Sequence, residues 1–363
     1  MPLMQKLWKA LVCAGVLCLI MLGTHGNFRT SLPHHTSATS QAQAAAFADA
    51  NQNACVASLS PQIMRVPGGV IDITFAPGRF DVPEATVLAW VRRAAIAVST
   101  YYGHFPVRHA RVRIVPVEGE KGIFHGTTYG EGGGFTRIPV GEHVTTEQLD
   151  RDWIMTHEFV HLSFPDMPRQ HAWIEEGLAT YVEPIARVQA RQLKAAGVWS
   201  DLVRDMPQGE PQAGDEGLDY THTWARTYWG GALYCLQADL RIRQLTKNQK
   251  GLQDALRAIV AAGGTLDKED WQLEQALRIG DQATGTHVLE ELYAEMKAQP
   301  VAVDLPQLWK KLGVTTRGGQ LVFDNDAQWA AARLAITGSP QAAPMTVASN
   351  REDETAAENQ SRP

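Results

Sequence analysis

The chain has 363 residues, of which 44% are hydrophobic, so it can bury one large core or two modest ones without disulfide or metal cross-links. Its formal net charge is -6, so it lacks the basic excess that is typical of nucleic-acid-binding proteins. Composition therefore excludes a nucleic-acid partner and indicates an ordinary globular protein.

Residues 1–23 have the composition of an export signal. Lys6 and Lys9 precede an uncharged apolar run over residues 10–22. The run is shorter than the roughly 20 residues of a transmembrane helix, although extending it towards the N-terminus makes a retained anchor feasible. The segment therefore predicts either a cleaved signal peptide or an N-terminal membrane anchor. Both predict an exported protein, periplasmic or extracellular, and the second adds attachment to a membrane.

Two further segments have the composition of unstructured chain. Residues 24–60 are rich in Ser, Thr, Ala, Gln and His and have no hydrophobic period, which predicts a flexible linker. Residues 338–363 are polar and aperiodic, which predicts a disordered tail. The folded part is therefore expected within residues 61–337.

Two cysteines, Cys55 and Cys235, lie outside the apolar N-terminal run. In an oxidising compartment they could form one disulfide. Cys235 lies in an apolar helical stretch, so an ordinary buried thiol is the other interpretation. Two thiols without C-x-x-C spacing exclude a cysteine zinc site.

Residues 61–144 predict a small α/β subdomain. Residues 69–75 and 110–117 are rich in β-branched residues and predict strands. Three consecutive glycines interrupt the strand-like residues 125–140, which indicates a bulged or mobile edge strand. A helix is expected between the first two strands, because its apolar residues follow three-and-four spacing: Leu88, Val91, Ala95, Val98 and Tyr102.

Residues 145–337 predict a mainly helical lobe. Thr145 and Gln148 form a capping box that opens a helix running through His161, and Pro165 marks its end. A second helix is expected over residues 173–182. The later helical predictions cover residues 223–244, 252–262, 271–278 and 287–297, followed by a mixed segment at 314–336.

The first long helix of this lobe carries the motif H-E-x-x-H, from His157 to His161. Residues four apart lie one helical turn from each other, so both imidazoles can bind one metal ion. Glu158 projects beside the same face and can accept a proton from a water molecule without binding the metal. We therefore expect a zinc site with Glu158 as the general base.

Catalytic zinc commonly has three protein ligands and one open position, so a third ligand is expected nearby. After the break at Pro165, the next helix begins with a pair of acids, Glu175 and Glu176. A helix packed against the first could present a carboxylate from this turn to the same ion. Gly177 would let the two helices approach closely.

These motifs resemble those of the gluzincin peptidases, the thermolysin-like clan that includes the alanyl and glycyl aminopeptidase families. The family combines H-E-x-x-H with W-x-x-E-G-x-A-x-Y and a later tyrosine before a Gly-Ala-Leu helix. In the family, the glutamate directly before the glycine binds zinc, which implies Glu176 rather than Glu175. The resemblance implies an α+β, thermolysin-like fold with a small N-terminal sheet, a covering helix and a mainly helical lobe. The corresponding segments here are residues 157–161, 173–181 (WIEEGLATY) and 228–233 (YWGGAL).

The chain departs from the family pattern in two places. The connection between His161 and Glu176 is shorter than in the alanyl aminopeptidases. The Gly-x-Met-Glu-Asn strand by which those enzymes hold a substrate amino terminus is absent. Endopeptidase and aminopeptidase action therefore both stay open. The Gly-rich residues 129–135 occupy the equivalent place before the metal helix and are the expected substrate-binding edge strand.

The resemblance implies a peptidase in which zinc polarises water and the scissile carbonyl while Glu158 takes the proton of the water and returns it to the leaving amine. Tyr228 is the expected donor to the tetrahedral oxyanion, with Tyr220 and His222 as substitutes. A peptide or protein substrate is expected to bind in extended form against the edge strand, because strand addition satisfies its backbone whatever its side chains are.

Two other functions are consistent with the same motifs. A zinc-stabilised module could bind peptides or proteins of the cell envelope without turnover, but a site without catalysis has no physical need for a carboxylate at Glu158. A zinc hydrolase of a non-peptide amide or ester is the third interpretation, and the sequence does not separate it from a peptidase.

Overall fold

A computed structural model describes residues 61–338, except for residues 269 and 319. The predicted signal or anchor segment, the linker and the tail beyond residue 338 lie outside the described residues, as does Cys55. Within the described part of the chain, every helix is too short or too polar to cross a membrane. Cys235 is a free thiol buried in a helix, in accordance with the second interpretation of that residue.

The N-terminal part forms a five-stranded sheet of β1 (Gln62–Val66), β2 (Gly69–Phe75), β3 (His109–Val117), β4 (Thr127–Tyr129) and β5 (Phe135–Gly141). The order of the strands in the sheet is β1-β2-β3-β5-β4. The three inner strands are parallel, whereas β1 and β4 run antiparallel at the two edges. Ile71, Ile73, Val112 and Ile114 are fully buried because alternate residues of a strand face the same side.

The helix α1 (Glu84–Tyr102) contacts both the sheet and the helices of the second part of the chain. Its buried residues include Val91, Ala95 and Val98, which confirms the periodicity of the predicted covering helix. It ends at Gly103, whose φ of 87° lies in the left-handed region that glycine adopts without strain.

The predicted helix from Thr145 to His161 is wrong in one respect, because it is two helices. The capping box of Thr145 and Gln148 is present and opens α2 (Thr146–Arg151), and α3 (Ile154–His161) follows after a break at Asp152. The carboxylate of Asp152 accepts hydrogen bonds from the Trp90 indole at 2.8 Å and from the Met155 backbone N–H at 3.1 Å. The break therefore depends on a distant indole that local sequence patterns do not show.

The helix that carries Glu176, α4 (Ala172–Gln189), is longer than predicted and continues through Pro184. The expectation that Gly177 brings α4 close to the first motif helix is wrong, because the glycine faces a different helix. A Cβ atom at Gly177 would lie 2.3 Å from the backbone carbon of Gly231. The missing side chain therefore allows close packing between α4 and α6 (Gly231–Leu245).

The rest of the described chain is helical apart from one small hairpin. The sequence patterns missed β1, α5 and α10. Elsewhere the predicted helices are present with shifted ends, and a π-helical turn at Arg226–Gly230 precedes α6. The remaining elements are α5 (Ala195–Asp205), α7 (Leu252–Ala261), α8 (Leu273–Thr284), α9 (Val288–Met296), α10 (Leu305–Leu312), β6 (Val314–Arg317), β7 (Gln320–Phe323) and α11 (Ala330–Thr337). A mixed sheet with a covering helix, followed by helices, confirms the α+β prediction.

Candidate metal centre

The structure brings together the three side chains that the sequence assigned to the metal. His157 and His161 lie one turn apart on α3, with ring centroids 4.9 Å apart. Glu176 projects from α4, and its Oε2 lies 3.1 Å from Nε2 of His157 and 3.6 Å from Nε2 of His161. The three candidate ligand atoms lie within 4.8 Å of one another, so one cation can contact all of them.

The acid in this cluster, Glu176, is held in the ionised form that can bind a metal ion. Burial raises the pKa of Glu176, but the hydrogen bond from His157 and the charges of both histidines outweigh burial and lower the pKa to about 2. Glu176 is therefore a carboxylate at neutral pH. Two imidazole nitrogens and one carboxylate oxygen are a ligand set that zinc commonly has in catalytic sites.

The pKa values of the two histidines are shifted in opposite directions. Burial lowers the pKa of His161, which favours the neutral imidazole that metal coordination requires. Burial also lowers the pKa of His157, but the hydrogen bond and negative charge of Glu176 outweigh it and leave the pKa raised. Metal ligands bind in their deprotonated form, so a cation between His157 and Glu176 would compete with protonation of His157.

Glu158, the predicted general base, is buried beside this cluster and is held by the edge strand β4. The Thr128 hydroxyl donates to Oε2 of Glu158 over 2.6 Å, and its oxygen also lies 3.0 Å from the Thr136 hydroxyl of β5. A Cβ atom at Gly126 would lie 2.7 Å from Cγ of Glu158, so a side chain at this position would displace the Glu158 carboxyl group. The strand thus fixes one carboxylate oxygen of Glu158.

Sequence reasoning missed Thr128. The substrate-binding edge strand was expected over residues 129–135, but the edge strand β4 ends at Tyr129 and a 3-10 turn follows at Glu131–Gly133, because the glycines there take left-handed backbone conformations. A threonine in a strand normally indicates β-propensity and nothing more. Its contact with Glu158 arises because the sheet order places β4 at the edge, against α3.

Tyr228, the predicted oxyanion donor, lies on the π-helical turn and contacts the ligand residues. Its ring stacks on the His157 imidazole with centroids 6.1 Å apart, and its phenol is close enough to the Glu176 carboxylate to interact with the negative charge. Burial and then the charge of Glu176 raise the pKa of Tyr228, so the phenol keeps its proton at neutral pH and can donate. The two substitutes, Tyr220 and His222, lie in the exposed segment before this turn.

Buried ionic groups hold the turn that carries Tyr228. The guanidinium of Arg226 lies 2.6 Å from the carboxylate of Asp215, and both side chains are almost completely buried. Arg226 also donates to the backbone carbonyl of Gly209. π-Helical turns inside helices are frequent at functional sites, because the extra residue changes the direction of nearby side chains. The sequence pattern gave no indication of this ion pair.

Asp219 is a second buried carboxylate that the sequence analysis missed, and it fixes the start of α4. It accepts hydrogen bonds from the Trp173 indole at 2.8 Å, the His171 ring at 3.0 Å and the Tyr293 hydroxyl at 2.8 Å. Burial raises the pKa of Asp219, but these donors lower it further than burial raises it. Trp173 is one turn before Glu176, so the network anchors the end of α4 that carries the third ligand.

Neither a known protein-family model nor a curated protein matches the chain. Solved structures do match it. An aminopeptidase N family protein from Idiomarina loihiensis aligns with a TM-score of 0.53 and 13% identity over 70% of this chain and 49% of that chain. The chain shares the fold of that protein. The predicted resemblance to the gluzincins is thereby confirmed at the level of fold.

Other matches are weaker. An M1 zinc metallopeptidase from Deinococcus radiodurans aligns with a TM-score of 0.44 and 16% identity over 68% of this chain and 53% of that chain. A mutant of the same protein bound to a Tyr-Ser-Ala substrate aligns with the same TM-score and coverage. The chain spans about half the length of the solved structures that it matches.

Proposed function

We propose that this chain is a zinc-dependent peptidase. The observation that carries the proposal is the convergence of His157, His161 and Glu176 next to the buried carboxylate of Glu158, beside an edge strand. The shared fold with an aminopeptidase N family protein supports it.

His157, His161 and Glu176 would hold the zinc ion. When bound, zinc supplies a Lewis acid that polarises a substrate carbonyl and lowers the pKa of a water molecule. Glu176 contributes the negative charge of the ligand set, and neighbouring groups keep it ionised. The indole and phenol network around Asp219 keeps the Glu176 turn in place.

Glu158 acts as the general base in this proposal. It takes a proton from the attacking water and delivers it to the amine that leaves. The Thr128 hydroxyl donates a hydrogen bond to Oε2 of Glu158, so the other oxygen of this carboxylate is the one that exchanges protons with the water and the amine. Tyr228 keeps its proton at neutral pH and donates a hydrogen bond to the oxyanion that develops on the substrate carbonyl.

The substrate peptide lies in extended form along β4. This strand pairs with β5 on one side and ends the sheet on the other, so its outer backbone groups can pair with an added strand. The hydrogen bond between Thr128 and Glu158 supports this position, because it joins β4 to the proposed general base. Exchange of the backbone amides of residues 126–137 should slow when a peptide inhibitor binds, and unchanged exchange would contradict this placement.

The central test compares the zinc-loaded protein with its Glu158→Gln variant on a peptide library, with cleaved termini identified by mass spectrometry. We expect the wild-type protein to cleave and the variant to lose at least about a hundredfold in rate. Glu147→Gln, in an exposed ion pair on α2, is the matched control and should keep full activity. Binding without cleavage by either protein would favour the peptide-binding module, and the positions of cleavage would separate endopeptidase from aminopeptidase action.

A separate measurement tests the ligand set. His161→Ala should lose stoichiometric zinc in elemental analysis after dialysis, because two protein ligands hold zinc far more weakly than three. Retention of one zinc ion per chain by this variant would refute the ligand assignment.

We also propose that the protein is exported, on the basis of residues 1–23. Fractionation of cells that express the full chain should place it outside the cytoplasm, and deletion of this segment should retain it inside. A mass for the exported protein that lacks the segment would identify a cleaved signal rather than an anchor.

A further inference from the structure

We infer that the open face of the five-stranded sheet binds the surface of an anionic lipid bilayer. The inference goes beyond the proposed peptidase function and does not depend on it, because this face lies on the other side of the sheet from the metal centre. It follows from the side chains that the strand register brings together there.

The sheet has one covered face and one open face. Alternate side chains of a strand point to opposite faces, and over most of β3 and β5 buried residues alternate with exposed or half-buried ones. Thr136 and Thr128 point to the covered face, where Thr128 contacts Glu158 of α3. Their neighbours along the strands, Arg137 and Tyr129, therefore point to the open face, away from the metal centre.

The open face is basic. The register places Asp72 of β2 opposite Arg111 of β3, and Asp72 is the one acid among the strand residues of this face. Its Oδ2 lies 2.9 Å from the His109 ring. The chain as a whole carries a net charge of -6, so positive charge is concentrated on this face of an acidic protein. The four arginines of the face are Arg65 from β1, Arg111 and Arg113 from β3, and Arg137 from β5.

Two of these arginines are direct neighbours. Arg113 and Arg137 are register partners in adjacent parallel strands, with Thr74 beside the first and Thr127 beside the second. Like charges opposite each other destabilise a sheet. Among the described side chains, none that is acidic lies within ion-pair distance of either guanidinium. A negative partner from outside the described residues would neutralise the pair.

Apolar side chains border the arginines at both edges of the open face. Ile63 on the edge strand β1 is 67% exposed, and Tyr129 on the edge strand β4 is 50% exposed. The register places both in one row across the sheet, together with Arg111 and Phe135. The Phe135 ring stacks on Tyr129 with centroids 6.3 Å apart, and the Arg111 guanidinium lies 5.3 Å from the Phe135 centroid. Cationic and apolar groups thus form one continuous surface.

A bilayer fits this surface better than an acidic protein segment does. Five strands about 4.8 Å apart present a width of roughly 20 Å, which is a broad face rather than a groove. Anionic headgroups attract the arginines, while Ile63 and Tyr129 can enter the boundary between headgroups and acyl chains, where tyrosine is enriched in membrane proteins. An acidic peptide would pair with the arginines but gives the apolar side chains nothing to bind. Binding through the open face leaves the metal centre accessible.

The experiment measures sedimentation of the purified full chain with lipid vesicles. The vesicles contain either phosphatidylcholine alone or a mixture of phosphatidylglycerol and phosphatidylcholine. Each arginine near an anionic surface contributes about fivefold in binding, so we expect at least tenfold stronger binding to the mixed vesicles. This difference should disappear at high salt, because the Debye length falls from about 10 Å at 0.1 M to about 3 Å at 1 M.

The variant that tests the face combines Arg113→Gln with Arg137→Gln. Its binding to the mixed vesicles should be about 25-fold weaker, and its binding to phosphatidylcholine should not change. The matched control combines Arg151→Gln with Arg278→Gln, which removes two arginines from exposed ion pairs on helices. The control changes the net charge equally but leaves the open face intact, so it should bind as wild type does. The residues before the sheet are the same in every variant, so a difference between variants reports on the sheet.

Thermal unfolding checks that the test variant is folded. Its midpoint should equal or exceed that of wild type, because the variant removes a pair of like charges. Equal vesicle binding by wild type and the test variant, or the same loss in the matched control, would overturn the inference. Free poly-glutamate probes for an acidic protein partner, and binding of it as tight as that of the mixed vesicles would also overturn the lipid assignment. None of these measurements involves cleavage, so failure of the peptidase proposal and failure of this inference are distinguishable.

Discussion

Removing one hydroxyl from the edge strand tests how this fold positions its general base. Thr128→Val keeps the β-branched shape that suits a strand and deletes the donor that lies 2.6 Å from Oε2 of Glu158. A hydrogen bond to a charged group contributes about 1.5 to 3 kcal/mol. At 1.36 kcal/mol per factor of ten, kcat/KM should fall by about 10- to 150-fold.

The assay separates positioning from damage to the fold or to the metal site. Steady-state peptide cleavage should show the loss mainly in kcat, because the hydroxyl contacts the base and not the substrate. Zinc content and thermal unfolding should stay close to wild type, and Thr128→Ser, which restores the hydroxyl, should recover most of the activity. Full activity of Thr128→Val, or no recovery with serine, would refute the reasoning.

Three further predictions concern stability. In the folded, metal-free protein the pKa of Glu176 is about 2, whereas its ordinary value is 4.5. The ionised carboxylate therefore stabilises the fold above pH 4.5, and this contribution is lost as pH falls towards 2. The free energy of unfolding of Glu176→Gln, measured with denaturant, should differ less from that of wild type at about pH 3 than at about pH 7. Gly177→Ala should destabilise the protein by about 1 to 3 kcal/mol, because its methyl group would clash with the backbone of α6. The control Gly197→Ala, on α5 with open space around it, should be neutral or stabilising in the same thermal unfolding assay. Arg226→Met should cost about 3 to 5 kcal/mol in denaturant unfolding by leaving Asp215 buried and unpaired, and an Asp215→Leu partner change should recover part of that loss.

Local spacing predicted the two histidines of the ligand cluster, and the family resemblance implied the third ligand. The four-residue spacing of His157 and His161 places both on one helix face, whatever surrounds the helix. Glu176 followed from the second motif, and the structure places its carboxylate within reach of both imidazoles. Their roles as zinc ligands, and that of Glu158 as base, stay predictions for the experiments above.

Long-range contacts account for the features that local sequence patterns did not predict. The break after α2 lies at Asp152, whose carboxylate accepts hydrogen bonds from the Met155 backbone N–H and from the Trp90 indole, and Trp90 is too far along the chain to be visible in a local pattern. Gly177 was correctly recognised as a point of close helix contact, but its partner is α6, which lies far along the sequence.

By itself, the sequence determined the histidine pair, because helical spacing is a property of neighbouring residues, and its motifs carry the resemblance that implies the α+β fold and Glu176. Only the tertiary structure decided that Thr128 holds Glu158, that Tyr228 stacks on His157, and that Asp219 fixes the start of the helix that carries Glu176. Those contacts join residues from separate elements, so their distances depend on sheet order and helix packing rather than on spacing along the chain.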